Sequence, residues 1–202
     1  MIDKIKIKNC LNVYPGGQET VAMAKIALEQ KCYSFLDIGT GNGYIAIFLH
    51  KNGRDAEALD ISLRAVKCAR INAKLNNCKL EVFQSDLFEQ VNNKYDCITF
   101  ILPINSNEKE YQRVAKSLIR YFPFLLNLLR PFFHSITRKN RIKLINKFIF
   151  QARNYLNSNG QILISLPTND VNYIDKEDIV INAINRPTEL ITIYQIWFNK
   201  KN

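Results

Sequence analysis

The chain has 202 residues, 47% of them apolar, with 28 basic against 18 acidic side chains and a net charge of +10. That length and apolar share suit a single domain over residues 1–202 with a sizeable core, and exclude a disordered chain. No uninterrupted apolar run reaches membrane-spanning length, and Met1-Ile2-Asp3-Lys4 lacks a signal-peptide pattern.

Five cysteines (Cys10, Cys32, Cys68, Cys78, Cys97) are scattered and none forms Cys-x-x-Cys. This predicts reduced thiols in a cytoplasmic protein and no zinc site. His50 and His134 stand far apart in sequence, so no metal is expected.

Residues 2–13 alternate in part (Ile2, Ile5, Ile7, Leu11, Val13) and predict a small strand or hairpin ahead of the core. Tyr14-Pro15-Gly16-Gly17 reads as a loop. Thr20 is placed to cap a helix whose apolar face is Val21, Ala24, Ala27 and Leu28. A buried strand over 34–38 then runs into Gly39-Thr40-Gly41-Asn42-Gly43, and a helix over 43–52 follows at once. The three glycines allow left-handed backbone angles and a close approach of main chain to a ligand. Seventeen residues past Gly43, a strand over 55–60 ends on Asp60, a carboxylate able to accept bonds from both hydroxyls of a ribose.

Ser62 caps a helix over 63–76, and strands follow at 79–84 and 96–102. Alternating strands and helices predict an α/β fold, a mainly parallel sheet with helices on both faces. Ligands in such sheets sit beyond the carboxyl ends of the strands. Gly39–Gly43, Asp60, Asp86 and residues 103–105 all fall there.

Residues 103–160 are long for one crossover. Tyr111, Val114, Ala115, Leu118, Ile119 and Phe122 have helical spacing, as do Ile145, Phe148, Ile149, Ala152 and Leu156. Between them a very apolar run is broken by Pro123 and Pro131. From Tyr111 to Arg153 there are ten basic residues and no acidic one, a surplus equal to that of the whole chain. Three readings stay open for an insert over roughly 103–140: an extra packed helix pair, a lid over an apolar acceptor pocket, or a surface that docks on a membrane or partner. Aromatics beside Arg and Lys also fit RNA, which makes residues 111–153 a candidate RNA contact. Only a short link over 168–178 precedes strands at 179–181 and 190–198 around an Arg186-Pro187-Thr188 turn, which predicts at most a shortened helix in that link and a terminal antiparallel hairpin.

Asp37-Ile38-Gly39-Thr40-Gly41-Asn42-Gly43 resembles the first motif of class I S-adenosylmethionine (SAM) dependent methyltransferases. Asp60, Ser85-Asp86-Leu87-Phe88, Tyr95–Phe100 and Asn159–Ser165 are similar to the later strand ends of that family, over about residues 14–200. Dinucleotide dehydrogenases usually space these glycines G-x-G-x-x-G, whereas this chain has G-x-G-x-G. The resemblance implies a Rossmann-like seven-stranded sheet and SAM as cofactor. It also implies a binding set of Thr20, Asp37, Gly39, Thr40, Gly41, Asn42, Gly43, Asp60, Ile61, Ser85, Asp86, Leu87 and Leu102.

Tyr14–Thr20 and Ser85–Glu89 resemble the protein-glutamine and N6-adenine branch of that family. That branch carries Asn-Pro-Pro-Tyr after strand four. Aligned from Tyr95-Asp96, those positions here read Ile101, Leu102, Pro103 and Ile104, so the group that holds an amide nitrogen is lost. Glu19, Asn105 and Tyr111 are the candidate base or orienting residues, and His134 reads as structural. Three functions are carried forward: a methyltransferase for a small or partly apolar acceptor, one for RNA or a ribosome-associated protein, and a non-catalytic SAM-binding accessory protein.

Overall fold

The structure is a computed structural model that describes residues 5–102 and 123–199, and of 123–137 the backbone alone. Its strands are β1 (Ser34–Ile38), β2 (Asp55–Asp60), β3 (Glu81–Gln84), β4 (Tyr95–Ile101), β5 (Leu156–Pro167), β6 (Ile179–Thr188) and β7 (Ile191–Phe198). Its α-helices are α1 (Gln18–Glu29), α2 (Tyr44–Lys51), α3 (Leu63–Leu75) and α4 (Pro123–Ala152).

The seven strands form one sheet in the order β3-β2-β1-β4-β5-β7-β6. The first five pair in parallel, and β7 is antiparallel to both β5 and β6. Strand alternation splits the apolar side chains between two faces. Phe35, Ala58, Cys97 and Leu163 pack with α1, α2 and α3, while Leu36, Ile98, Phe100 and Ile162 pack with Ile145, Phe148, Ile149 and Ala152 of α4. The predicted mainly parallel sheet, helices on both faces and terminal hairpin are therefore present. Between β5 and β6 there is only a single 3-10 turn, Asp170–Tyr173, in place of a full helix.

Several local expectations are corrected. Residues 5–13 form no strand; residues 6–10 run along α3, and 11–13 make a turn in which the Val13 N–H donates to the Cys10 carbonyl at 3.2 Å. Along α3, Lys6 exchanges two bonds with the Asn76 amide (2.9 and 2.7 Å), Lys8 two with the Asn72 amide (2.8 and 3.2 Å), and Cys10 is disulfide-bonded to Cys68. The geometry is commensurate. Two extended residues advance about 6.6 Å, and four helical residues about 6 Å. Residues 6, 8 and 10 thus meet 76, 72 and 68 in antiparallel order. The cysteines are consequently not all reduced thiols: a pair 58 residues apart is joined, and Cys32, Cys78 and Cys97 are free and buried.

Thr20 does not cap α1 from outside. The helix starts at Gln18, and the Thr20 hydroxyl in its first turn accepts the Gly17 N–H at 3.2 Å. Pro123 and Pro131 do not end the helix. Pro123 occupies its first position, where no N–H is needed, and the backbone stays helical through Pro131, which removes one interior donor. Leu156 opens β5, because its pairing with Tyr95 starts the strand before an irregularity at 157–160. The hairpin turn lies at Glu189–Leu190, and Arg186-Pro187-Thr188 belongs to β6. The expected helix over 111–122 lies outside the described residues.

Candidate functional site

At the carboxyl end of β1 the chain turns through Gly39, Gly41 and Gly43 with φ of +67°, +56° and +86°. Gly43 sits against α3: a Cβ there would lie 3.0 Å from the Ala69 Cβ and 3.1 Å from its Cα. Gly39 and Gly41 have more room. Added Cβ atoms would approach the Phe100 ring at 3.3 Å and the Tyr14 carbonyl at 3.6 Å. One glycine is thus required by helix packing, and two leave main chain bare at the strand ends.

The turn is held from below and from the side. Thr40 and Thr99 donate their hydroxyls to Asp37 at 2.6 and 2.8 Å. Asp37 is 2% exposed, and burial pushes its carboxyl up to about 6, opposed by those two hydroxyls and helped by the charge of Asp60. Asp60 is half-buried at the end of β2. Its Oδ2 accepts the Gly41 N–H at 3.0 Å and its Oδ1 accepts the Ser62 N–H at 2.8 Å. Each carboxylate oxygen keeps lone-pair capacity beyond these bonds.

Asn42 ties the turn to the N-terminal loop. Its Nδ2 donates to the Pro15 carbonyl at 2.8 Å, and its Oδ1 accepts the Tyr44 N–H at 3.1 Å. In the same loop the Tyr14 hydroxyl donates to Glu19. Burial and that carboxylate hold the phenol proton on, raising Tyr14 to about 12.

Of the expected binding set, Asp37, Gly39, Thr40, Gly41, Asn42, Gly43 and Asp60 meet at this turn, while Thr20 sits against Gly16 and Gly17 of the N-terminal loop. Ile61 presents an exposed apolar side chain next to Asp60. Ser85 is buried, and its hydroxyl donates to the Leu87 carbonyl at 2.9 Å. Leu87 itself is buried with a φ of +49°. Asp86 is 4.0 Å from Lys147 of α4. The Leu102 side chain is 2% exposed and lies in the core. Among the catalytic candidates, Glu19 is buried beside Tyr14. Asn105 and Tyr111 lie outside the described residues, as does the side chain of His134. Among the described residues no group of three or more possible ligands could hold a metal ion, and no helix is long and apolar enough to cross a membrane.

Asn72 was not anticipated. It is fully buried on the inward face of α3, and its Nδ2 reaches the Asn42 carbonyl at 2.8 Å as well as Lys8. The signal was present in the sequence: an amide among Ala65, Ala69 and Ala73 on an apolar helix face needs a partner.

The basic segment also looks different once folded. Arg141 Nε meets the 3%-exposed carboxylate of Asp170 at 2.5 Å, with Arg138 at 3.9 Å from the same group. Arg153 lies 3.5 Å from Asp178. Arg138 and Arg141 of α4 thus share one carboxylate, and Arg153, just past α4, meets another.

A family model described as the methyltransferase small domain matches residues 20–129. A putative protein N5-glutamine methyltransferase of Methanocaldococcus jannaschii is 33% identical over 181 residues, covering 87% of this chain and 83% of that protein. A release factor glutamine methyltransferase of Lactococcus lactis is 30% identical over 192 residues, covering 92% of this chain; the chain spans only 65% of that longer relative. In fold, the ribosomal protein L11 methylase of Lactobacillus delbrueckii superposes with a TM-score of 0.63 at 20% identity, over 91% of this chain and 80% of that one. Turn, strand-end acid, sheet order and relatives agree: the chain belongs to the methyltransferase small domain family of class I SAM-dependent methyltransferases.

Proposed function

We propose that the chain binds SAM at the Gly39–Gly43 turn and transfers its methyl group to an acceptor with a small or partly apolar reacting end. The observation that carries the cofactor half is the meeting of the bare turn with Asp60, whose carboxylate stands 3.0 Å from the Gly41 amide at adjoining strand ends. That pair fits the cofactor's two polar ends. Main chain at Gly39 and Gly41 accommodates the amino-acid end, and the free lone pairs of Asp60 match the ribose hydroxyls. The exposed Ile61 offers an apolar contact beside the ribose. The bound sulfonium supplies an activated methyl group; the chain's own residues hold it and exclude water.

The acceptor half rests on β4. Ile101 stands where the glutamine branch keeps its asparagine, and it packs partly buried against the core. An apolar side chain there supports an acceptor that is not gripped through an amide. Glu19, held by the hydroxyl of Tyr14 in the loop whose Tyr14 and Pro15 carbonyls face this turn, is our candidate for orienting the acceptor.

A second reading, methyl transfer to a protein of the translation apparatus, is supported by the names of the relatives. RNA as acceptor draws less support, because Arg138, Arg141 and Arg153 of the basic segment face internal carboxylates. A peripheral membrane contact would fall on side chains outside the described residues. A cytoplasmic location fits the translation-linked relatives and sets the Cys10–Cys68 bridge in a reducing compartment.

Labelled-methyl transfer from SAM, run separately over metabolites, protein extract and RNA, tests these readings. Label in metabolites alone supports the first, and label in protein the second. Label in RNA, weakened steeply by salt, supports RNA as the acceptor. Binding without transfer to any class marks a non-catalytic accessory protein.

A further inference from the structure

We propose that the Cys10–Cys68 disulfide is a redox-responsive clasp that sets the affinity of the SAM site, an inference that rests on the cofactor reading above. The argument follows the covalent and hydrogen-bonded path from the bridge to the turn. Cys68, Asn72 and Asn76 form one stripe on α3, and each holds one alternate residue of the extended segment 6–10. The amide rungs are hydrogen bonds, whereas the Cys10–Cys68 rung is covalent. It also stands at the end of the segment that leads into the loop over the cofactor turn.

From Cys10 only three residues separate the bridge from Tyr14, whose carbonyl faces Gly41. Pro15 accepts the Asn42 side chain at 2.8 Å. The second route runs through α3: Asn72 bonds both Lys8 and the Asn42 carbonyl. Asn42 is therefore held from both sides by groups that depend on where the segment lies. Closing the 58-residue loop between Cys10 and Cys68 removes the segment's freedom before any ligand arrives. Opening it returns that ordering cost to the binding step.

The chemistry balances with a dithiol reductant. Its thiolate attacks Cys10 Sγ, which is only half-buried, and the S–S bond breaks with its electron pair on Cys68, which then takes up a proton. The second thiol of the reductant displaces Cys10 as a thiol and closes the reductant's own disulfide. Two electrons and two protons pass to the protein. Cys32, Cys78 and Cys97 are free and buried, so the half-buried Cys10 Sγ is the sulfur the reductant meets.

The test uses the full chain, air-oxidised or treated with dithiothreitol, with S-adenosylhomocysteine as the calorimetric ligand and alkylation in denaturant followed by mass measurement to count thiols. The oxidised protein is expected to show three free thiols and the reduced protein five. The reduced form should bind about three- to tenfold more weakly, since the amide rungs persist and only part of the ordering is lost. Cys10→Ser, which leaves buried Cys68 in place, should bind like the reduced form with or without dithiothreitol. Reoxidation should restore the wild-type affinity.

Equal affinity in the two states with the thiol count changed from three to five overturns the clasp and leaves the cofactor reading standing. Five thiols in the oxidised protein also overturn it. No binding in either state overturns the cofactor reading, and the clasp with it.

Discussion

Asn72 of α3 donates its side-chain amide to the main-chain carbonyl of Asn42, 30 residues earlier in the chain, at 2.8 Å. The same amide group exchanges bonds with Lys8. One buried side chain thus joins the N-terminal segment, a helix and the glycine-rich turn. Replacing it with alanine strands a carbonyl in the turn and both polar groups of Lys8. Asn72→Ala should cost about 2–3 kcal/mol, read as a lower urea midpoint, and should weaken S-adenosylhomocysteine binding in the folded protein. An unchanged midpoint would show that water replaces these bonds at no cost.

Gly43 is held to its identity by two separate constraints. Its φ of +86° disfavours any side chain, at about 1–2 kcal/mol. A Cβ would also stand 3.1 Å from the Ala69 backbone. Gly43→Ala should destabilise the fold by about 2–4 kcal/mol in urea unfolding, the excess over the backbone cost coming from crowding between α2 and α3. Gly53, with φ +77° and nothing near its Cβ position, is the internal control. Gly53→Ala should cost only the backbone part. Equal losses at the two sites would refute the packing argument.

Asp37 sets a pH dependence with a definite sign. Its folded pKa of about 6 lies above the usual 3.8, because burial disfavours the charge. The folded state therefore binds more protons than the unfolded state between those values, and this group's contribution falls as pH rises through that window. The shift corresponds to about 2–3 kcal/mol. Relative to wild type, Asp37→Asn should gain stability as pH rises from about 4 to 7, whatever its absolute cost from altered bonds to Thr40 and Thr99. The measurement is the difference between the two unfolding free energies across that range. A difference that stays flat would mean Asp37 is charged throughout.

The mainly parallel sheet and the glycine-rich turn at its strand ends were legible because they depend on local pattern. Buried runs ending in Gly39–Gly43 and at Asp60 announce strand ends, and alternation with helices announces a parallel sheet. What escaped depends on contacts between distant residues. Cys10 and Cys68 look unpaired in one dimension, and only the matched repeats of an extended segment and α3 bring them together. Within the basic run of 111–153, nothing in one dimension shows that Asp170 and Asp178, both beyond β5, face Arg141 and Arg153. Thr20 resembles a cap by residue type, yet it sits in the first turn of α1 and takes the Gly17 amide from there.

The central claim is that Asp60 and the Gly39–Gly43 turn form one nucleoside-binding site. Calorimetric titration of S-adenosylhomocysteine into oxidised wild type and Asp60→Ala tests it most directly. The account predicts saturable one-to-one binding to wild type and affinity lower by about an order of magnitude in the variant, through loss of charge-assisted bonds to the ribose. Unchanged affinity in a folded Asp60→Ala protein, or no binding to wild type, would contradict it.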